Sequence, residues 1–236
     1  MYKKSRPVRK LLGVLLTLAV VLSTLSGIMP KTSATVFAAE HIAHDGVEFD
    51  AWESDNELPT AAGNYYLTKD VTISSTWNVS GETKLCLNGH SITLNADSGT
   101  VVNIGSGATL NLYDCGDSTY YYTLTDGVAT GITSEDKSAD DNYESFTGGY
   151  ITGGKESGVL IEENGTLNMY GGTIIGNMAV QYGGGVYVES DGTFNMHSGS
   201  ILGNKAGESE GAYFDNYGRG GGVCVDGTFN MQGGLI

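Results

Sequence analysis

The sequence predicts an all-β fold in which short strands, grouped in a repeated unit, stack into a solenoid. A pattern of strands separated by glycine turns is written three times towards the C-terminus, and no helical periodicity interrupts it. The Gly-Thr pair within each copy begins at Gly165, Gly192 and Gly227, so that the steps are 192 − 165 = 27 and 227 − 192 = 35 residues. Repeats of this length indicate a solenoid, because each unit buries its apolar face against its neighbours.

The composition favours an ordered chain. The 236 residues include 36 glycines but only 3 prolines. Glycine at this frequency without a triplet spacing is also typical of disordered proteins. Here, however, the glycines lie at fixed offsets from apolar pairs, as tight turns between short strands require.

Residues 1–38 have the pattern of a signal peptide. Five basic residues among the first ten precede an apolar run from Leu11 to Leu25, and small residues predict cleavage after Ala38. An uncleaved membrane anchor is the alternative, but polar residues make this run short for a bilayer, which needs ~20 apolar residues. We therefore expect a secreted or cell-surface protein that meets the membrane only through this peptide.

The predicted mature chain is strongly acidic. The sequence has 27 acidic and 12 basic residues, and six of the basic ones lie within residues 1–38. The remainder thus has 12 − 6 = 6 basic residues and a formal charge near −21. Such a surface repels phosphate backbones, so nucleic acid is excluded as a partner.

Residues 39–60 show no period and are predicted to be an irregular N-terminal segment. Five side chains that fall close together there raise the alternative of a metal site: His41, His44, Asp45, Glu48 and Asp50. Structural zinc sites usually carry cysteines or a closer histidine pair, and no cysteine lies near in the sequence. The segment is therefore predicted to be solvated, with no metal ligand and no catalytic residue.

Residues 61–113 are predicted to form the first rungs of the solenoid or its cap. Short runs with alternating apolar residues, such as Val71–Ser74 and Ser91–Leu94, are separated by glycine turns. A β-sandwich is the usual alternative for this spacing. The solenoid is favoured because Gly105–Leu112 echoes the Gly-Thr-Leu-Asn-Met sequence of the later repeats.

Two of the three cysteines are spaced by about one repeat. Cys86 and Cys115 are 115 − 86 = 29 residues apart, and export permits a disulfide between them. Spacing alone leaves both a disulfide and two free thiols open. Cys224 takes the place of Leu160 and Tyr187 in the other copies, so it is interpreted as a repeat variant.

Two insertions interrupt the repeat. Residues 114–147 are acidic and rich in tyrosine, and residues 207–218 lengthen the last step. Long loops are often functional, and solenoid insertions often gather on the binding face. We predict that these binding-loop residues contact a ligand: Tyr120, Tyr121, Tyr122, Tyr213, Phe214 and Tyr217.

Residues 148–236 carry the clearest repeats, with about one rung per 23–27 residues. If each copy is one turn of a parallel β-helix, equivalent apolar residues stack inward. The predicted columns are Leu167/Phe194/Phe229, Met169/Met196/Met231, Val159/Val186/Val223 and Ile161/Val188/Val225, with hydrogen-bonding columns Asn168/Asn195/Asn230 and Asn177/Asn204. The chain stops within a unit, so we expect a C-terminally truncated solenoid with further rungs.

The repeat also resembles a known family. Its pattern Ile-x-Gly-Asn-x-Ala followed by Gly-Gly-Gly-Val, at residues 174–186 and 201–223, resembles repeats of bacterial surface β-helix proteins and, more distantly, polymorphic outer-membrane proteins. Residues 58–90 are similar to the N-terminal part of secreted repeat proteins of Gram-positive gut bacteria. The resemblance implies a right-handed parallel β-helix of the pectate-lyase-like superfold and an adhesin-like role.

An enzyme is the main functional alternative, because right-handed β-helices include polysaccharide lyases and glycoside hydrolases. Hydrolysis needs two carboxylates on one face, and lyase chemistry needs a basic residue beside acidic calcium ligands. The outward positions of the repeat strands carry no paired Asp, and the only arginine after residue 38 is Arg219, in a glycine-rich turn. Catalytic rungs beyond residue 236 keep this alternative open.

The sequence therefore predicts a non-catalytic surface scaffold whose loops bind glycans or host and cell-surface proteins. No cofactor is predicted. A D-x-D-x-D-G calcium loop is absent, so calcium held by irregularly spaced carboxylates is the one ion that the composition leaves open.

Overall fold

The computed structural model describes His41, His44 and residues 46–207 and 218–236. This part of the chain forms β-strands and no helix, so the predicted all-β class is confirmed. None of its segments is a helix long and apolar enough to cross a membrane. The predicted signal peptide, Asp45 and the predicted binding residues Tyr213, Phe214 and Tyr217 lie outside the described residues.

The strands are short and follow one another closely. They are β1 (Asp50–Trp52), β2 (Gly63–Leu67), β3 (Val71–Ile73), β4 (Trp77–Val79), β5 (Glu82–Cys86), β6 (Ser91–Leu94), β7 (Thr100–Ile104), β8 (Thr109–Tyr113), β9 (Thr119–Thr125), β10 (Val128–Thr133), β11 (Glu144–Thr147), β12 (Tyr150–Thr152), β13 (Ser157–Ile161), β14 (Thr166–Met169), β15 (Thr173–Ile175), β16 (Met178–Ala179), β17 (Val186–Val188), β18 (Thr193–Met196), β19 (Ser200–Leu202), β20 (Lys205–Ala206), β21 (Val223–Val225) and β22 (Thr228–Met231).

Most strands belong to three sheets whose neighbours pair in parallel. Sheet 1 has the order β1-β2-β5-β8-β14-β18-β22, sheet 2 the order β19-β15-β12-β6-β3, and sheet 3 the order β21-β17-β13-β7-β4. From β2 onwards the chain enters sheets 1, 2 and 3 in turn and then returns to sheet 1. β16 and β20 form a short parallel pair. Parallel strands need a crossover between partners. From β2 onwards, strands of the other sheets make each crossover, whereas residues 53–62 join β1 to β2 without a strand.

The strand register places equivalent residues of successive repeats opposite each other. Leu167 lies opposite Phe194, and Phe194 lies opposite Phe229, as predicted. The predicted Met, Val and Ile/Val columns are register partners as well. Phe194 is fully buried and stacks on Phe229 with 4.9 Å between ring centroids. Burial of such a side chain contributes about 1.5–3 kcal/mol. The earlier members of the columns are buried, whereas Val225 and Met231 in the last strands are 39% and 48% exposed.

Glycine recurs before β14 and β18 because the turns there stack closely. Asn164 and Asp191 have φ values of 60° and 62°, in the left-handed region that these residue types tolerate. A Cβ built on Gly165, the next residue, would lie 2.8 Å from the carbonyl oxygen of Ile104 on the neighbouring turn. The Gly-Thr pair of the sequence repeat therefore marks the point where turns of adjacent units meet.

The first insertion is a folded element. β9 pairs antiparallel with β10 and β11, and a two-residue turn at Asp126 and Gly127, with φ values of 51° and 80°, joins β9 to β10. Its apolar side packs on sheet 2, where Tyr122, Ala129 and Phe146 form a cluster with Ile175. The predicted insertion is therefore a small sheet and not a long loop, because its alternating residues bury one face against sheet 2.

The segment predicted to be irregular contributes to sheet 1. β1 pairs in parallel with β2. The indole nitrogen of Trp77 donates to the Pro59 carbonyl oxygen at 2.7 Å, and Leu58 is buried in the core. The sequence pattern missed β1 because three residues are too few to show a period.

Candidate functional site

The three adjacent tyrosines of the first insertion lie on two different faces of β9. Tyr122 is only 4% exposed, and its hydroxyl donates to the Glu144 carboxylate; burial is the main cause of its raised pKa. The hydroxyl of the half-buried Tyr120 donates to the Gly89 carbonyl oxygen at 2.9 Å, and burial raises its pKa to about 12. Both rings pack with the small apolar cluster.

Tyr121 lies between these two residues in the sequence and points to the opposite face of β9. Its hydroxyl interacts with the Asp136 side chain, which raises the pKa of Tyr121. Tyr121 is half-buried, as Tyr120 is, but it does not lie on the face of β9 that carries Tyr122.

A groove lies between the first insertion and residues that follow strands of sheet 2. Its volume is about 460 Å³, and residues of the β9–β10 turn face residues that follow sheet 2. Among its lining residues, Met178 is 39% and Val180 47% exposed. Gly207, where the second insertion begins, borders the same groove.

A second groove, of about 380 Å³, adjoins the first at Val180, which lines both. The rings of Tyr182 and Tyr187 stack there with 5.5 Å between centroids. The polar residues of the lining are Thr100, Glu156, Ser157, Gln181 and Glu189. Burial and a hydrogen bond from Tyr187 to Asp226, of 2.8 Å, raise the pKa of Tyr187 to about 12, so its hydroxyl stays protonated.

Both ends of the second insertion are attached beside these grooves. The Gly207 amide donates to the Ala179 carbonyl oxygen at 3.0 Å, and the Arg219 amide donates to the Gln181 carbonyl oxygen at 2.7 Å. The Arg219 guanidinium lies 5.8 Å from the centre of the Tyr182 ring. The segment 179–183 thus contributes Tyr182 to the aromatic groove and also accepts the hydrogen bonds from Gly207 and Arg219.

A cluster of potential metal ligands lies elsewhere, on the outer side of sheet 1. It brings together His41, His44, Cys86 and Cys115, whose ligand atoms all lie within 4.8 Å of one another. Sequence reasoning rejected a metal site because no cysteine is near the histidines in the chain, and so it missed this cluster. The 29-residue spacing of the cysteines, close to one repeat, was the signal that could have found it.

The two cysteines are adjacent but are not bonded in the structure. Their sulfur atoms are 3.4 Å apart, and both are free thiols. Burial, and next the neighbouring Cys115, raise the pKa of the Cys86 thiol, and burial also raises the pKa of Cys115. Burial, and then repulsion from His44, lower the pKa of His41, which favours its neutral imidazole.

No protein-family model, curated protein or solved structure matches this chain.

Proposed function

We propose that the chain is an exported, non-catalytic surface protein, a right-handed parallel β-helix that presents an aromatic groove for binding a neutral glycan. The β-helix is supported by the order in which the chain enters sheets 1, 2 and 3 and by the stacked register of the repeats. Export is supported by the signal-peptide pattern of residues 1–38.

The observation that carries the proposal is the groove at Tyr182 and Tyr187. Sugars present apolar C–H faces that pack on aromatic rings, and hydroxyls that exchange hydrogen bonds with carboxylates and amides. Glu156, Gln181 and Glu189 supply such groups along the same groove. A binding site needs this combination of apolar surface and a few polar groups that fix orientation.

The charge of the chain narrows the ligand class. A formal charge near −21 after residue 38 repels acidic polysaccharides at long range. Neutral glycans are not repelled by this charge. Gly207 and Arg219 form hydrogen bonds beside the groove, and the sequence between them contains the further aromatic residues Tyr213, Phe214 and Tyr217.

The test is binding of the full chain to an array of neutral and acidic oligosaccharides, followed by calorimetric titration of the best ligand. We expect a neutral glycan to bind and Tyr182→Ala to weaken it at least tenfold. Tyr170→Ala is the matched control, because Tyr170 is similarly exposed, at 39% against 37%, and also stacks on a neighbouring ring. Equal losses in both variants, or binding of a protein ligand that survives removal of its glycans, would contradict the proposal.

A further inference from the structure

Four potential ligands from three separate stretches converge at one place. His41 and His44 precede β1, Cys86 ends β5, and Cys115 follows β8. None of them lines the grooves at Val180. The cluster is therefore independent of the proposed glycan site.

The structure holds each histidine ring in place by stacking. His41 lies on Tyr66 with 4.4 Å between centroids and 11° between planes, and His44 lies on Tyr113 with 4.6 Å and 16°. Tyr66 and Tyr113 are the register partners of Cys86 on either side of it in sheet 1. The two histidine rings therefore lie on either side of the Cys86 thiol, because each stacks on one of the two tyrosines that flank Cys86 in the sheet.

The second thiol is positioned by a fixed turn. The Asp114 carboxylate accepts hydrogen bonds from the amides of Gly89 and Gly149, at 2.8 and 2.9 Å. These bonds anchor the chain one residue before Cys115, whose thiol donates to the Asn88 side-chain oxygen at 3.4 Å. Both sulfur positions are therefore set by the rungs themselves.

The distances suit one tetrahedral ion. Bonds of about 2.3 Å to sulfur and about 2.0–2.1 Å to nitrogen place the ligands of a zinc tetrahedron about 3.3–3.8 Å apart. The sulfur atoms are 3.4 Å apart, and the whole set lies within 4.8 Å, so a small contraction completes the geometry. In addition, the Nε2 atom of His41 is buried and makes no hydrogen bond among the described residues.

We propose that His41, His44, Cys86 and Cys115 bind one zinc ion as a structural Cys2His2 site. On binding, each thiol loses its proton to solvent, so that Zn²⁺ and two thiolates give a neutral centre with two neutral imidazoles. Zinc binding requires no oxidant. Formation of a Cys86–Cys115 disulfide, in contrast, requires an oxidant that takes two electrons from the two thiols. A disulfide would also leave the Nε2 atom of His41 buried without a partner.

Such a site would fasten the start of the folded chain to its rungs. The histidines lie on the segment before β1, and the cysteines lie on two neighbouring rungs that begin with β5 and β8. Metal affinity of this kind is coupled to folding, because the unfolded chain has no preformed site.

The experiment is cobalt titration of the full chain, purified reduced and metal-free, followed by displacement with zinc. We expect one cobalt ion per chain, with thiolate-to-cobalt charge transfer and the intense visible bands of a tetrahedral site, and bleaching by equimolar zinc. Cys115→Ser and His41→Gln are expected to weaken cobalt binding at least tenfold. His41 lies at the edge of the fold, so this variant tests the site even if loss of a buried thiol unfolds the chain.

Two variants serve as controls. Cys224→Ser removes a buried thiol, and His197→Gln removes an imidazole that also stacks on a tyrosine, yet neither belongs to the cluster. Both are expected to bind cobalt as the parent does. The proposal is overturned if the folded parent shows no thiolate-to-cobalt band, if His41→Gln binds with unchanged affinity, or if protein isolated from culture medium without reductant contains a Cys86–Cys115 disulfide and no zinc.

Discussion

The side-chain amide of Asn195 donates to the side-chain oxygen of Asn168 at 2.8 Å, one repeat earlier in the chain. The same contact recurs from Asn168 to Asn111 at 2.9 Å and from Asn230 to Asn195 at 2.9 Å. Each inner asparagine therefore accepts one bond and donates another, which forms a ladder along sheet 1. The predicted hydrogen-bonded asparagine column is confirmed, and it reaches one strand further back than the sequence indicated.

This ladder gives a first prediction. Asn195→Ala removes two side-chain hydrogen bonds and is expected to lower the free energy of unfolding by about 1–3 kcal/mol, since each bond contributes about 0.5–1.5 kcal/mol net. Asn230→Ala removes only one and should cost about half as much. Urea denaturation of the two variants provides the measurement. Equal costs would show that the bonds do not act as a ladder.

A second prediction concerns the docking of the first insertion. A Cβ built on Gly203, where φ is +50°, would lie 2.7 Å from the Cβ of Ala129 and 2.8 Å from its nitrogen, which donates to the Gly203 carbonyl oxygen. Gly203→Val is therefore expected to loosen the β9–β10 hairpin and to cost about 1–3 kcal/mol beyond the backbone strain, as overpacking does. Hydrogen–deuterium exchange of residues 119–133 should rise in this variant.

The matched control for that experiment is Gly107→Val. Gly107 also has a positive φ, of 72°, but a Cβ there meets no atom within 4 Å. The Gly107→Val variant therefore has the backbone strain of a side chain at positive φ but no steric clash with the β9–β10 hairpin. If both variants leave exchange in residues 119–133 unchanged, the close approach at Gly203 does not hold the insertion.

A third prediction separates the second insertion from the fold. Ala206 is the register partner of Ala179, and Arg219 pairs with Tyr182, so Gly207 and Gly218 correspond to the consecutive residues Val180 and Gln181. Deleting residues 208–217 joins two residues that already follow the path of an uninterrupted repeat. We expect a change of less than ~1 kcal/mol in the free energy of unfolding, because the length of a connection has a small effect on the entropy of closing it.

The same deletion is expected to weaken glycan binding at the Tyr182 groove, because it removes Tyr213, Phe214 and Tyr217. Urea denaturation and calorimetric titration of the parent and the variant measure the two effects separately. A variant that is folded and binds unchanged would remove the insertion from the binding site, and a variant that fails to fold would show that the repeat path is not continuous.

The stacked columns could be predicted because the repeats encode their own register. Phe194 and Phe229 occupy equivalent positions in two copies of the repeat. When the strands of these copies pair in parallel, only one register places equivalent residues opposite each other. The packing of Tyr120 and Tyr122 could not be predicted, because it depends on apolar residues outside the repeat interior, such as Ile175, that cover the insertion. Tyrosine composition alone does not distinguish a buried ring from an exposed one.

The cluster of histidines and cysteines was missed for a different reason. The proximity of Cys86 and Cys115 follows from their spacing by about one repeat, and their sulfur atoms are indeed adjacent. His41 and His44 reach them through stacking on Tyr66 and Tyr113, a tertiary contact without any sequence period. Spacing rules for metal ligands assume local ligand pairs, and they fail when parallel pairing of strands brings distant residues together.

The equivalence of successive units has a consequence for how such a molecule changes in evolution. Neighbouring strands of a sheet lie about 4.8 Å apart. Duplication of one 27-residue unit, such as the step from Gly165 to Gly192, would therefore insert a new strand into each sheet without altering any contact type. Unequal recombination between repeats would thus change, in steps of about 4.8 Å, the distance along the sheets between β1 and Gly207, where the second insertion begins.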